Sequence, residues 1–473
     1  MIKYLIATAL FLFLNGCSDR AYGEQEISEI PSAISTKKVT IVSSTPKQNI
    51  AKSAYINIEF SVFMDFGTFN EQDITLVDKT DDRQIEIEID GIENHLYLRP
   101  LETLIDGREY LLSINSKATD IMGNSIDRAY EKSFTCVKDF WESVEVGETH
   151  SIAMSKDGDI YIWGSNSYRE LNIRDNNERS VPLAISYTNA SKDFSAGSFT
   201  SAIINDLYEL STLGKYSLTK ESDENLTNVS VGNKHSAVIK SDGTLWSWGK
   251  NYNGQLGNAG IVERLELTQE DTNSTNWSTL SAGNNFTIAL KNDGSMWGWG
   301  SNEYGEIGNA QYKERRIPVQ EDTNAMDWKS ISAGENHSSA IKVDGSLWSW
   351  GKNDDGVLGD GTYISSRTQV QENSLSQWES VSSGFNHTLA IKNDGTLWAW
   401  GSNYYGQLGD GTVEDKNSPT LISQERWTSV SGGKNFSIGV KEDGTMWSWG
   451  YNAQKQLGLG DDSEDKLTPT EVK

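Results

Sequence analysis

The stretch WKSISAGENHSSAIKVDGSLWSWGKNDDGVLGDGT, residues 328–362, decides the fold. Its first run, Trp328–Gly334, and its second, Ser338–Lys342, are short and β-rich, and Asp344-Gly345 separates the second from a third, Ser346–Gly351. Asp-Gly between such runs is a hairpin signal, because both residues tolerate the left-handed backbone of a tight two-residue turn. A glycine-rich loop follows. In the next copy, YGQLGDGT (Tyr405–Thr412) leads into a fourth run, SPTLI (Ser418–Ile422). Four short strands cannot bury their faces alone, so the unit must be repeated to make a core.

It is repeated seven times. The third runs read IYIWG, LSTLG, LWSWG, MWGWG, LWSWG, LWAWG and MWSWG, ending at Gly164, Gly214, Gly249, Gly300, Gly351, Gly401 and Gly450. A second glycine precedes each at a constant 17 residues, from Gly147 through Gly197, Gly232, Gly283, Gly334 and Gly384 to Gly433. Two independent markers hold register although the second step is only 35 residues against 49 to 51 elsewhere. Seven four-stranded units predict a closed β-propeller, since closure removes the sheet edges that an open array leaves unpaired. The chain enters at Trp141 with a first strand and leaves through Leu467–Val472 with a last one, so the two ends are expected to complete one blade together. Unit two departs from the pattern: Asp206-Leu207-Tyr208 replaces the turn, Leu213 replaces tryptophan, and its connection is short, so this blade is expected to lack a strand.

The pattern AGxxHSxAIKxDGSLWSWGxN…GxLGDGT resembles the regulator of chromosome condensation repeat family and covers 140–473. The resemblance implies a seven-bladed propeller.

The chain has 473 residues, 41 basic and 67 acidic, for a net charge of −26, with the acidity spread along its length. A polyanion of this kind repels phosphate backbones, which argues against nucleic-acid binding. All 16 tryptophans follow position 140, so two differently built segments meet there. Residues 1–16, MIKYLIATALFLFLNG, carry one lysine and then an apolar run too short to span a bilayer, as a secretory signal does. Leu14-Asn15-Gly16-Cys17 resembles the bacterial lipoprotein box, which implies lipidation at Cys17, and Ser18 after it favours the outer membrane. Residues 17–37 read as a polar tether.

Between 38 and 136, seven runs (Val39–Ser43, Tyr55–Phe63, Ile74–Val77, Ile85–Ile89, Leu96–Leu98, Tyr110–Ile114 and Lys132–Cys136) suggest a β-sandwich. Asp90-Gly91, Asp106-Gly107 and Gly123-Asn124 are its expected turns. The segments FSVFMD, LRPLETLIDGREYLLSI and ATDIMGNSI resemble a bacterial Ig-like domain, a spacer or stalk in such families. Cys136 reads as a small apolar residue of the last strand. The fold class is therefore all-β, an Ig-like sandwich followed by a seven-bladed propeller.

Several conspicuous residues invite a chemical role. His150, His235, His337 and His387 each stand three places after the first glycine of a unit, but Thr200, Phe286 and Phe436 take that place elsewhere, which says half-buried packing instead of metal binding. The WxW pairs recur at one strand position and read as blade packing. A photoreceptor of this family carries an extra tryptophan just after the first glycine, where this chain has Glu148, Ser198, Asn233, Asn284, Glu335, Phe385 and Lys434. The aspartates of the KxDG and GDGT turns offer one oxygen where a calcium loop needs several. No nucleophile motif, paired Cys/His or phosphate loop is present, so no enzyme, cofactor or metal is expected.

What varies between units is where a partner would bind. Those positions are Asn284, Asn285, Phe385 and Asn386 after the first glycine, and Tyr252, Tyr304, Tyr404 and Tyr405 after the tryptophan motif. The expectation is a lipid-anchored, non-enzymatic envelope protein, periplasmic or surface-exposed, whose propeller binds a protein or peptide. The alternative is an inhibitor of an envelope enzyme, similar to propeller-type β-lactamase inhibitors. Exchange on a small nuclear GTPase is contradicted by the export signal and the charge.

Overall fold

The computed structural model describes residues 39–473 except 46–48, 51–55, 70–72, 93, 116, 138–139, 172, 174–175, 186–190, 219–224, 373–376, 461–462 and 473. The expected signal segment 1–16, Cys17 and the tether 17–37 lie outside the described residues. No helix among the described residues is long and apolar enough to cross a membrane.

The described residues from Val39 to Cys136 form two facing sheets. One orders Ile41–Thr45, Ile56–Phe60, His95–Pro100 and Ile87–Ile92 side by side; the other orders Asn49–Ile50, Tyr130–Cys136, Glu109–Ile114, Ile74–Asp78 and Arg83–Ile85. Burial alternates along Ile74–Asp78, as a strand with one face on a core requires. Cys136 is fully buried in that core. The run expected over Ile85–Ile89 is two strands, because the chain changes sheet between Ile85 and Ile87. Asp106-Gly107 and Gly123-Asn124 do reverse the chain. Asp90-Gly91 does not: it lies inside Ile87–Ile92, with Gly91 paired to Leu96. A Cβ on Gly91 would stand 2.4 Å from Cγ of Phe66, so the glycine admits an aromatic ring against the strand.

Beyond Phe140, each repeat is one antiparallel sheet, four-stranded in six of the seven blades. The first strands, from Trp141–Val146 in blade one to Trp427–Gly432 in blade seven, pack side by side around the axis. Every one of them carries a bulge just after its first residue, which twists the strand as a tapering blade needs. The turn aspartates are consumed locally: Asp344 Oδ1 accepts from Ser346 N (2.9 Å) and Oγ (2.6 Å), and that Oγ accepts from Trp348 Nε1 (2.9 Å). The same relay recurs at Asp242, Asp293, Asp394 and Asp443. These hydrogen bonds hold the carboxyl of Asp344 below the usual range.

The second tryptophan of each pair is fully buried and fastens its blade to the one before. Trp350 Nε1 donates to Glu306 O (2.7 Å), Trp400 to Val357 O (2.8 Å) and Trp449 to Gln407 O (2.9 Å). The histidines also join blades. Nε2 of His150, His235, His337 and His387 lies 2.7, 2.9, 3.3 and 2.8 Å from the hydroxyls of Ser201, Thr287, Thr388 and Ser437 in the following blade. Thr287, Thr388 and Ser437 donate their own hydrogens to backbone carbonyls, so in those pairs the imidazole Nε2–H is the donor. These rings are at most 1% exposed, more deeply buried than the half-buried packing expected. Burial pushes their pKa down, to about 4 at His150 and His337 and to about 3 at His235 and His387, so they stay neutral.

The ring closes differently from the expectation. Blades one and seven are each complete four-stranded sheets, and no blade is shared between the two ends. Closure is by packing of whole blades, sealed by Trp141 N to Gly444 O (3.0 Å), Val146 N to Ser431 Oγ (3.1 Å) and Trp163 Nε1 to Gln456 O (2.9 Å). The same kind of bond that joins neighbouring blades serves at the seam, so a shared strand is unnecessary. Blade two is reduced as expected. Its described residues form three strands, Ser191–Ala196, Thr200–Asn205 and Leu210–Gly214.

The sandwich is not a free stalk. Residues 39–473 form one compact unit, and the sandwich core runs on through Phe140 and Trp141 to Leu457 and Val472. Arg179 of blade one, 5% exposed, reaches Asp90 of the sandwich (3.4 Å) and lies 5.8 Å from the Tyr97 ring centre.

Candidate functional site: the loop face of the propeller

Two loop classes were expected to bind, and the structure places them on one face. In each blade the residue after the tryptophan motif donates its backbone N–H to the loop after the first glycine: Lys250 to Lys234 (2.8 Å), Ser301 to Asn285 (2.8 Å), Ser402 to Asn386 (2.7 Å). An asparagine two places after the motif then braces the glycine-rich loop. Asn403, fully buried, accepts at Oδ1 from Leu408 N (3.0 Å), and Asn251, Asn302 and Asn353 make the same bond to Leu256, Ile307 and Leu358. Gln407 Oε1 holds Tyr405 N (2.9 Å), and Glu306 Oε2 holds Tyr304 N (2.9 Å). The tyrosines therefore stand on loops fixed from below, which lowers the entropy lost on binding.

Tyr252 and Tyr404 are the most open, 66% and 74% exposed. Tyr304, Tyr405, Asn284, Asn285, Phe385 and Asn386 are half-buried. Tyr404 meets Tyr405 edge-on (4.9 Å), and Tyr405 meets Tyr451 (4.8 Å), a residue the sequence reading missed. Asn284 and Phe385 line the mouth of the central channel with Ser198, Asn233 and Glu335. Lys434 lies 5.8 Å from the Phe385 ring and pairs with Glu148 (2.5 Å) across the closing seam. Tyr252 and Tyr304 belong to blades three and four and the Tyr404–Tyr405 pair to blade six, so the expected residues fall in two groups.

A third aromatic group was not expected. Tyr168, Phe199 and Tyr216 of blades one and two form a chain with ring centres 4.9 and 6.4 Å apart, and the Lys215 ammonium sits 4.7 Å from the first. Tyr168 stands four residues after Gly164 as Tyr304 stands four after Gly300, so aligning the loops as well as the strands would have found it.

Below the mouth lies a polar channel of about 310 Å³. Its wall repeats one bond: Ser195, Ser230, Ser281, Ser332, Ser382 and Ser431 each accept at Oγ from a backbone N–H of the next first strand, at 2.8 to 3.1 Å. In blade one Glu145 takes the serine's place and accepts from Ser431 Oγ (3.2 Å). Desolvation by the surrounding strands pushes Glu145 up to about 7 and Asp193 to about 6. Among the described residues no group of three or more His, Cys, Asp or Glu is arranged to hold a metal ion.

Comparison with known proteins places this geometry. The RCC1-like domain profile matches residues 217–473, the regulator of chromosome condensation (RCC1) repeat matches 141–170, and a bacterial Ig-like domain matches 35–136. The chain is 26% identical over 226 residues to the ultraviolet-B receptor UVR8 of Arabidopsis thaliana, covering 47% of this chain and 43% of that protein. It is 27% identical over 245 residues to the E3 ubiquitin-protein ligase HERC2 of Homo sapiens, covering 46% of this chain and 5% of that one. It thus spans less than half the length of these relatives. Human WBSCR16 superposes with a TM-score of 0.51 at 17% identity, covering 74% of this chain and 86% of that structure. Yeast RCC1 (Prp20), solved bound to Kap60, superposes with a TM-score of 0.50 at 20% identity, covering 70% and 75%. These two likenesses show the propeller fold. With a profile match over more than half its length, on a ring of seven blades fastened in the same way, the chain belongs to the RCC1-like domain family and carries a bacterial Ig-like domain before its propeller.

Proposed function

We propose that this protein is a non-enzymatic scaffold of the bacterial envelope, lipid-anchored through Cys17, whose propeller captures a protein or peptide on its loop face. The observation that carries the reading is the bracing of that face. Buried asparagines such as Asn403 and backbone bonds such as Ser402 N to Asn386 O fix the loops that carry the tyrosines, and Tyr252 and Tyr404 stay exposed on them. Aromatic residues on a rigid platform contribute large contact area at small entropic cost, as binding hot spots do. In this reading the Ig-like domain works as a base fused to the propeller, and lipid and tether supply reach. Yeast RCC1 (Prp20), a protein of this fold, is found bound to another protein, Kap60, which is in keeping with a binding role.

The test is retention of envelope proteins from the native cell by the full chain and by a variant carrying Tyr404→Ala, Tyr405→Ala and Phe385→Ala. A partner retained by the parent and lost by the variant is the expected result. Equal retention by both, or none by either, would rule out this loop face. Globomycin sensitivity and palmitate labelling that vanish in Cys17→Ser test the anchor.

A further inference from the structure

The loop face is divided electrically. Over blades four and five it presents Glu303, Glu335, Asp354 and Asp355, with Lys352 paired to Asp354 (3.4 Å), and desolvation raises the carboxyl pKa of Glu335 and Asp355. Over blades one to three it presents Arg169, Lys215, Lys234 and Lys250. Lys250 is paired with Glu263 (2.6 Å). Arg169, Lys215 and Lys234 are exposed and have no carboxylate partner among the described residues, in a chain whose net charge is −26.

Two features show that this basic arc is built into the fold. Arg169 has a left-handed backbone, φ 65°. The equivalent loop positions in blades three to six are glycines, Gly254, Gly305, Gly356 and Gly406, at φ 75° to 89°. Blade seven places Lys455 at the same position, φ 59°, so blades one and seven each hold a cation at the rim where a Cβ is disfavoured, and strain of this kind points to a use. Lys215, for its part, is held by rings, with its ammonium 4.7, 5.6 and 5.7 Å from the centres of Tyr168, Phe199 and Tyr216. A cation on an aromatic platform is set in position while its outer side stays open.

Resting on the scaffold reading, we infer that this arc, Arg169, Lys215 and Lys234 around Tyr168, Phe199 and Tyr216, is the docking surface for a short acidic peptide segment of the partner protein. Charge complementarity selects it. Carboxylates pair with three cations that have no carboxylate partner among the described residues while intervening apolar side chains lie on the rings, and the acidic part of the face turns the segment toward blades one to three. An extended polyanion such as nucleic acid, or an anionic membrane, would meet the carboxylates of blades four and five and the overall negative charge at the same time.

The experiment measures fluorescence anisotropy of a dye-labelled decapeptide of alternating glutamate and leucine, beside its glutamine counterpart, with the full chain. The variants are Arg169→Gly and the triple Arg169→Gly, Lys215→Gln, Lys234→Gln. Expected are salt-sensitive binding of the glutamate peptide only and a roughly tenfold loss in the triple variant, the product of three exposed pairs. Arg169→Gly alone should raise Tm, because glycine suits that backbone, and still weaken binding; this variant separates binding from folding. Absence of binding at millimolar peptide, equal binding of the glutamine peptide, or an unchanged affinity in the triple variant would each overturn the inference. So would tighter binding, through the same residues, of phosphatidylglycerol vesicles or of oligothymidylate. If the envelope partner is lost with Tyr404→Ala and Tyr405→Ala but retained by the triple variant, the scaffold reading stands and this one fails.

Discussion

Gly147 faces the carbonyl oxygen of Gly197 so closely that a Cβ on it would lie 2.0 Å from that oxygen. The relation passes round the whole ring, from Gly197 to Gly232 O and onward until Gly433 meets Gly147 O (2.8 Å). The constant glycine of each repeat is therefore the place where neighbouring blades touch through bare backbone. Gly147→Ala is expected to destabilise by about 3 kcal/mol, the upper range of overpacking, since the obstacle is a backbone atom that cannot swing aside. Denaturant unfolding checks this, and a midpoint equal to the parent's would contradict it.

The buried tryptophans should be similarly costly to remove. Trp400→Leu, which copies what blade two has at Leu213, loses buried ring area and one of the two hydrogen bonds to Val357 O, which keeps Thr388 Oγ1 (3.0 Å). A loss of about 3 kcal/mol is expected in thermal unfolding. Trp398→Leu, with a half-buried ring, should cost clearly less.

The histidine staples make stability depend on pH with a definite sign. In the folded chain His387 is held at about 3, while in the unfolded chain it titrates near its ordinary value of about 6.5. As pH falls below about 6.5 the unfolded chain takes up the proton first, so the stabilising contribution is full above that pH and is lost on acidification toward the folded value. His387→Phe, the residue blade seven uses at Phe436, removes this term. The stability difference between parent and variant should change by about 1.4 kcal/mol per pH unit through that window. Glu145 and Asp193, raised to about 7 and about 6, act in the opposite sense and cancel in the comparison. Parallel stability curves would refute the assignment.

The loop tyrosines should separate binding from folding. Tyr404 is 74% exposed and Tyr405 packs only on its neighbours Tyr404 and Tyr451 among the described rings. The double alanine variant is expected to lose less than about 2 kcal/mol of stability while abolishing partner capture. Calorimetry beside the retention assay decides it; a collapse of Tm would make these tyrosines structural.

The sandwich and propeller should melt together. Arg179, nearly buried, joins Tyr97 and the half-exposed Asp90 across their boundary beside a shared apolar core, so Arg179→Ala is expected to cost about 1 kcal/mol and to lower a single calorimetric transition. A single unshifted transition would show that the boundary is held elsewhere.

Much of this architecture was legible because a repeat announces itself: seven tryptophan motifs, seven glycines at one spacing, and a weakened copy whose described residues indeed form three strands. Asp90-Gly91 misled because a glycine that opens a turn and one that admits the Phe66 ring look identical in one dimension. The two chain ends misled too, since a first strand at one end and a last strand at the other suit a shared blade as well as two complete ones. His387 and Ser437 stand 50 residues apart, and nothing local says that one repeat's imidazole reaches the next repeat's hydroxyl.

Local chemistry alone was enough to set the repeat, the hairpins, the all-β class and the positions left free to vary, because turn residues and alternating burial act over a few neighbours. Which residues share a surface was settled by closing the ring. Arg169, Lys215 and Lys234 come from three different blades and become one basic arc only when rotation about the axis brings their loops side by side. The −26 total charge, a sum over the whole chain, conceals that arc, since charge acts through space and not along the sequence.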